Sequence, residues 1–113
     1  MEMQEQLPQE SPGIYFIVNF DWPDDFSPDI AQTAKKLHVL TSENPPNWIH
    51  EVVAASGGIG GDEGSVWIFW LPNYSSLDKL FHDQNEEISR TYRKFFSSMK
   101  KVRDSVRDKV QFL

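Results

Sequence analysis

The segment from Gly64 to Pro72 places the strongest constraint on this fold, because six apolar residues follow one another inside it without a polar interruption. In a β-strand, successive side chains point to opposite faces. Each face of such a strand receives three apolar side chains: Val66, Ile68 and Trp70 on one, and Trp67, Phe69 and Leu71 on the other. A strand with one wet face would alternate apolar with polar residues. We therefore predict that both faces of the sheet are covered.

The rest of the chain predicts elements in the order strand, helix, strand, strand, helix, strand. Ser27 followed by Pro28 indicates a helix start, because Ser is a favoured N-cap and Pro a favoured first helical residue. The predicted elements are a strand at 14–20, a helix at 28–40, strands at 48–55 and 65–71, a helix from 75 that breaks near 82 and runs to about 106, and a strand at 109–113.

This order is typical of the ferredoxin-like α+β fold, a βαββαβ chain whose four-stranded antiparallel sheet carries both helices on one face. A length of 113 residues leaves room for one domain. The first twelve residues are rich in Gln, Glu and Pro and lack the apolar content needed for packing. We therefore predict a flexible tail at 1–12 and a single domain at 13–113.

Because both helices lie on one face of the sheet, the other face is exposed to solvent, although it too carries large apolar side chains. Each aromatic side chain buries about 150–250 Å², and a monomer rarely tolerates an exposed apolar patch larger than a few hundred Å². An identical copy related by a two-fold axis is the simplest cover. The sequence therefore predicts a sheet-to-sheet homodimer.

Charge and composition argue against several other partners. The net charge is −6, and residues 1–73 hold eleven acidic but only two basic side chains, which opposes binding to nucleic acid. No apolar run is long enough to span a bilayer and the N-terminus has no signal pattern, so we expect a cytoplasmic protein without a membrane partner. Cysteine is absent. The acidic cluster at Asp21, Asp24, Asp25 and Asp29 is interpreted as helix-start chemistry, and no metal site is expected.

The element order, the size, the two-part second helix and the doubly apolar third strand resemble the dimeric α+β barrel superfamily over residues 13–113. That group includes antibiotic-biosynthesis-type monooxygenases, heme-degrading monooxygenases, EthD-like proteins and stress-responsive barrel proteins. The resemblance implies a pocket between the helices and the sheet for a small hydrophobic or aromatic molecule. It implies monooxygenase-like chemistry with no cofactor of the protein's own, and it leaves open whether this chain is an enzyme.

Asn19 is similar in placement to a pocket asparagine of the heme-degrading members. Leu80 and Arg90 stand near the positions where those members carry a tryptophan and a histidine, so heme degradation is not expected. The candidate ligand-binding residues are Tyr15, Asn19, His50, Trp67, Phe69 and His82.

Each candidate also has a purely structural interpretation, and both interpretations stay open. The rings can serve only the core and the dimer interface, and Asn19 can be satisfied by the loop that follows its strand. His50 can be a half-buried hydrogen-bonded residue, whereas His82 can cap the C-terminus of a helix. The alternative function is accordingly a non-catalytic dimeric interaction module. A third class, an RNA-recognition-like domain with the same element order, is disfavoured by the acidic charge.

Overall fold

The computed structural model describes residues 12–57 and 64–110, in which four strands form one antiparallel sheet in the order β2-β3-β1-β4. The elements are β1 (Ile14–Asp21), α1 (Pro28–Ser42), β2 (Glu51–Ser56), β3 (Ser65–Leu71), α2 (Tyr74–His82), α3 (Glu87–Ser97) and β4 (Lys100–Asp108). The three helices lie on one face of the sheet. This is the ferredoxin-like α+β fold that the sequence predicts.

The two central strands separate their side chains cleanly between the two faces. Alternate residues of β1 and β3 on the helix side are almost completely buried: Ile14, Phe16, Val18, Phe20, Trp67, Phe69 and Leu71. Their neighbours on the opposite face are only half-buried. Trp67 and Trp70 therefore lie on opposite faces, as the sequence predicts, and we call the face without helices the open face.

The N-cap residues of α1 and α2 show which local sequence signals start these helices. Ser27 is the N-cap of α1, and its hydroxyl accepts a hydrogen bond from the Ile30 amide at 3.2 Å. At α2 the N-cap is Asn73, whose side chain accepts from the Ser76 amide at 3.1 Å. Asn is among the strongest N-cap residues, and Asn73 comes two residues before the predicted helix start at residue 75. The break near residue 82 is confirmed, because α2 ends at His82.

The C-terminal prediction is wrong in its boundaries. α3 ends at Ser97 rather than near residue 106, and β4 spans Lys100–Asp108 instead of beginning at residue 109. Val102 and Val106 misled the interpretation because a spacing of four residues keeps side chains on one face of a strand as well as of a helix. Residues of this segment pair with β1 along the length of β1, which shows that the segment is a strand. Lys109 and Val110 follow the strand, while Phe112 lies outside the described residues.

Other boundaries move by smaller amounts. β2 begins at Glu51, three residues later than the predicted start at Trp48. The predicted tail at 1–12 lies outside the described residues except for Pro12, and most of the glycine-rich connection, at 58–63, lies outside them as well. No helix in the described ranges is long and apolar enough to cross a membrane.

Candidate functional site

The open face is an ordered grid whose rows follow from the strand register. Residues paired directly across antiparallel strands share a face. Reading from β2 through β3 and β1 to β4, the three rows are Glu51–Trp70–Tyr15–Arg107, Val53–Ile68–Ile17–Ser105 and Ala55–Val66–Asn19–Arg103. Seven of these twelve positions carry apolar or aromatic side chains on β2, β3 and β1. Val53 remains 48% exposed.

One corner of the open face is aromatic and polar at once. The Trp70 ring centroid lies 6.2 Å from that of Tyr15 and 4.7 Å from that of His50. The Lys109 ammonium sits 3.7 Å from the centre of the same ring, a cation–π contact. The Trp70 indole N–H donates to the Pro12 carbonyl at 2.9 Å, which orients the ring across the start of β1.

Within the three rows, the charged side chains of the open face lie at its two edges. Glu51 is the charged side chain of the β2 edge, whereas Arg103 and Arg107 lie on the β4 edge. All three residues are exposed. The helix predicted to run to about residue 106 would have contained Arg103 and ended next to Arg107. Only their pairing with β1 reveals that they belong to the sheet.

The helix side of the sheet is filled by packed rings. The Phe16 ring meets Phe81 of α2 edge-on at 5.1 Å, and the Phe69 ring meets Tyr92 of α3 edge-on at 5.8 Å. Phe16 and Phe69 are 1% and 0% exposed. Burial, and to a smaller extent the charge of Asp104, raises the pKa of Tyr92 well above its usual range, so this hydroxyl stays protonated.

A cleft of about 460 Å³ opens between α1 and the β2 edge, at the margin of this packed interior. It is lined by two indoles, three consecutive residues of β2 and three side chains of α1: Trp22, Trp67, Ala54, Ala55, Ser56, Ala34, Lys35 and His38. The Trp22 indole N–H donates to the Ser65 hydroxyl at 2.9 Å, and that hydroxyl also contacts the Ser56 hydroxyl.

A smaller cleft lies between the start of α1 and the end of α3. Asn19, His50 and His82 line neither of these two clefts.

The six candidate ligand contacts do not form one site. Trp67 and Phe69 belong to the helix side, whereas Tyr15 and Asn19 belong to the open face. These two pairs cannot line one pocket within a protomer, because adjacent strand positions project in opposite directions. Whether any of them binds a ligand stays a prediction.

The two candidate histidines, His50 and His82, are both accessible. His50 is exposed rather than half-buried, and its ring lies against Trp70, a residue of the open face. His82 is the last residue of α2, with its ring nitrogen 3.8 Å from the Asp78 carboxylate and a side chain that is 74% exposed. Neither lies at the helix-side pocket that the resemblance implied.

Three of the four aspartates near the start of α1 have individual partners. Asp21, Asp24 and Asp29 pair with Lys101, Lys100 and Lys94, respectively. The Lys100 hydrogen bond and charge lower the pKa of Asp24 below its ordinary value. Over the described residues, no group of three or more His, Cys, Asp or Glu side chains is arranged to hold a metal ion.

Comparison with solved structures shows the same fold in another protein. A dimeric protein of unknown function with a ferredoxin-like fold, from Bacteroides fragilis NCTC 9343, superposes with a TM-score of 0.59. The two sequences are 11% identical, and the match covers 85% of this chain and 95% of the other. No protein-family model and no curated protein matches this chain. The chain is thus a ferredoxin-like α+β protein.

Proposed function

We propose that this chain functions as a homodimer whose protomers join through the open face, in the manner of the dimeric α+β barrel proteins that its sequence resembles. The observation that carries the proposal is the contiguous apolar centre of the open face, with Ile17 and Ile68 paired in the middle row and Val53 beside them. The Bacteroides fragilis protein, which shares the fold, is described as dimeric.

Self-association is favourable here because it removes apolar surface of both protomers from contact with water. Each Å² of apolar area removed from water contributes about 25 cal/mol. The open face of a second copy presents matching apolar rows with polar side chains at the edges, which is the usual anatomy of a specific interface. The helices cannot supply this cover, because α1, α2 and α3 all lie on the other side of the sheet.

Sedimentation equilibrium tests this proposal directly. The wild-type chain at micromolar concentration is expected to sediment at twice its mass of 13.1 kDa. Ile17→Lys puts a charge in the middle row and should raise the dimer dissociation constant at least tenfold. Gln32→Lys adds the same charge on the exposed side of α1 and should leave the constant unchanged. A wild-type species of 13.1 kDa would contradict the proposal.

A second candidate function is binding of a small aromatic or apolar molecule with an acceptor group in the cleft between α1 and β2. Its volume lies within the range of about 300–1,000 Å³ that is typical of ligand sites. Trp67 is only 6% exposed, and within residues 12–57 and 64–110 its indole N–H has no hydrogen-bond partner. Buried indole N–H groups usually have one. A ligand oxygen would satisfy this donor, with Lys35 near the rim.

The probe for this second candidate is 8-anilinonaphthalene-1-sulfonate, an aromatic anion whose fluorescence rises on binding. We expect saturable binding that Lys35→Gln weakens at least threefold. Lys36→Gln is the matched control, because Lys36 instead pairs with Glu87 at 2.8 Å. Equal effects of the two substitutions would exclude the cleft as the site. The proposal includes no monooxygenase chemistry, since Asn19 lies on the opposite side of the sheet.

A further inference from the structure

We infer that the two-fold axis of the homodimer runs parallel to the strands, midway between β3 and β1, so that β2 of each protomer lies over β4 of its partner. This inference rests on the homodimer proposed above and specifies how its two faces meet. It follows from the order of side chains along each row of the open face and from the placement of the charges.

A two-fold axis along the strands places each row of the partner's open face over the same row of the first protomer. The order of the residues within the partner's row is reversed. Glu51 begins the first row and Arg107 ends it. Reversal therefore brings Glu51 opposite the partner's Arg107, and symmetry repeats the pair at the other edge. In the second row, reversal brings Ile68 opposite the partner's Ile17. The axis thus matches opposite charges at both edges and apolar side chains at the centre.

The β4 edge has additional positive charge that favours the same arrangement. Lys109 follows β4, and its ammonium lies over the Trp70 ring, so positive charge extends along the first row from the β4 edge. The acidic residues of β4 do not oppose this pairing. Asp104 and Asp108 are paired with Val18 and Ile14, whose side chains belong to the helix side. Asp21 of β1 is already paired with Lys101.

Other axis directions match the faces less well. An axis across the strands, through the middle row, places β2 over the partner's β2 and exchanges the first and third rows. Arg107 would then lie opposite the partner's Arg103, and Glu51 would lie opposite the partner's Ala55 without a cation. Like charges brought together at an interface are strongly disfavoured. A diagonal axis packs the strands at right angles. It would bring Glu51 near the partner's Arg103, but it would place Trp70 and Tyr15 on the polar β4 strand.

Thiol cross-linking distinguishes these arrangements, and the chain contains no cysteine that would interfere. The variants are Glu51→Cys, Arg107→Cys and Arg103→Cys, treated with a short bismaleimide. Strands are spaced about 4.8 Å apart. With the axis along the strands, residue 51 is therefore displaced sideways from the partner's residue 51 by about 14 Å, or three strand spacings. We expect efficient cross-linking in an equimolar mixture of Glu51→Cys and Arg107→Cys, and little in either variant alone.

The other cross-linking outcomes overturn the inference. Cross-linking in an equimolar mixture of Arg107→Cys and Arg103→Cys would indicate an axis across the strands. Preferential cross-linking of Glu51→Cys with Arg103→Cys would indicate perpendicular sheets, and the absence of cross-linking in every mixture would exclude this use of the open face. A wild-type monomer in sedimentation would refute the homodimer itself. A dimer with a different cross-linking pattern would refute only the axis.

Charge exchange provides an independent measurement. Glu51→Arg and Arg107→Glu should each raise the dimer dissociation constant at least fivefold, because each replaces two opposite-charge contacts with like-charge contacts. The double variant Glu51→Arg/Arg107→Glu restores opposite charges and should return the constant to within about twofold of wild type. With an axis across the strands, Arg107→Glu would instead strengthen association, because it would place an acidic side chain opposite the partner's Arg103. Failure of the double variant to recover association would overturn the inference.

Discussion

The two faces of the sheet are built from neighbouring residues but differ in how completely their side chains are buried. On the helix side, Phe16 and Phe69 are 1% and 0% exposed and contact rings of α2 and α3. On the open face, Ile17 and Ile68 remain half-buried within one protomer. The apolar character of the two faces is similar, but the covering element differs. The helix side is closed by the chain itself, whereas we propose that the open face is closed by a second copy.

This difference separates stability from assembly. Substitutions on the helix side should lower the stability of each protomer, because they leave cavities among packed rings. Substitutions on the open face should chiefly change the dimer dissociation constant, because the side chains there are loosely surrounded until the partner arrives. Unfolding measured as a function of protein concentration can resolve the two effects.

The largest expected effect comes from truncating Phe69 on the helix side. Phe69→Ala should lower the free energy of unfolding by about 3–5 kcal/mol. The matched substitution is Ile68→Ala, one position away on the open face, which should cost about 1 kcal/mol or less in the monomer. Both are measured by urea denaturation in the Ile17→Lys background. Equal losses for the two substitutions would abolish the contrast between the faces.

An intermediate effect is expected at Arg93, which holds the helical cover together. Its guanidinium donates to the carbonyls of Phe81 at 2.8 Å and Asp83 at 3.1 Å, at the end of α2 where helix carbonyls lack partners within the helix. Arg93→Ala should lower the free energy of unfolding by about 1–3 kcal/mol. Arg90→Ala is the control, since Arg90 is exposed and donates only to the Gln84 carbonyl. A loss no greater than that of the control would count against this role.

The smallest effect is a pH dependence at the junction between α2 and α3. A hydrogen bond from Lys79 and backbone hydrogen bonds from Asn85 and Glu86 lower the pKa of Asp83 below its ordinary value of 3.8. Because the folded-state pKa is the lower one, this contribution to stability is complete above the unfolded-state pKa and disappears as the pH falls through the folded-state pKa.

Urea midpoints measured between pH 5 and pH 2, about the ordinary pKa of an aspartate, test this effect. The wild type should lose more stability over this interval than Asp83→Asn, which cannot ionise. Asp25→Asn is the control, because Asp25 is exposed and its substitution should leave the wild-type slope unchanged. Identical slopes for wild type and Asp83→Asn would show that Asp83 does not contribute.

Much of the fold could be predicted because local signals and apolar periodicity agree. Ser27 and Pro28 mark the start of α1, and the alternation in β1 assigns Phe16 and Ile17 to different faces. The C-terminal strand could not be predicted in this way. Its residues are mostly polar, and the spacing of Val102 and Val106 suits a helix and a strand equally.

The candidate site was harder to predict than the fold. The open-face aromatic residue Tyr15 and the buried Trp67 both look like ligand contacts in the sequence, but the sheet separates them. His38 and Lys35 gave no signal, because a helix margin rich in polar residues is usually solvated. They become notable only where α1 lies beside Trp67 and the β2 edge.

The sequence by itself determined that β3 is apolar on both faces and that the element order is ferredoxin-like. These conclusions depend on residue periodicity, which a single strand already displays. Only the tertiary structure decided that Arg103 and Arg107 stand across the open face from Glu51, and that a cleft opens beside Trp67. Strand register and strand order depend on residues that are far apart in the sequence. The contacts that stabilise them form only when folding brings those residues together.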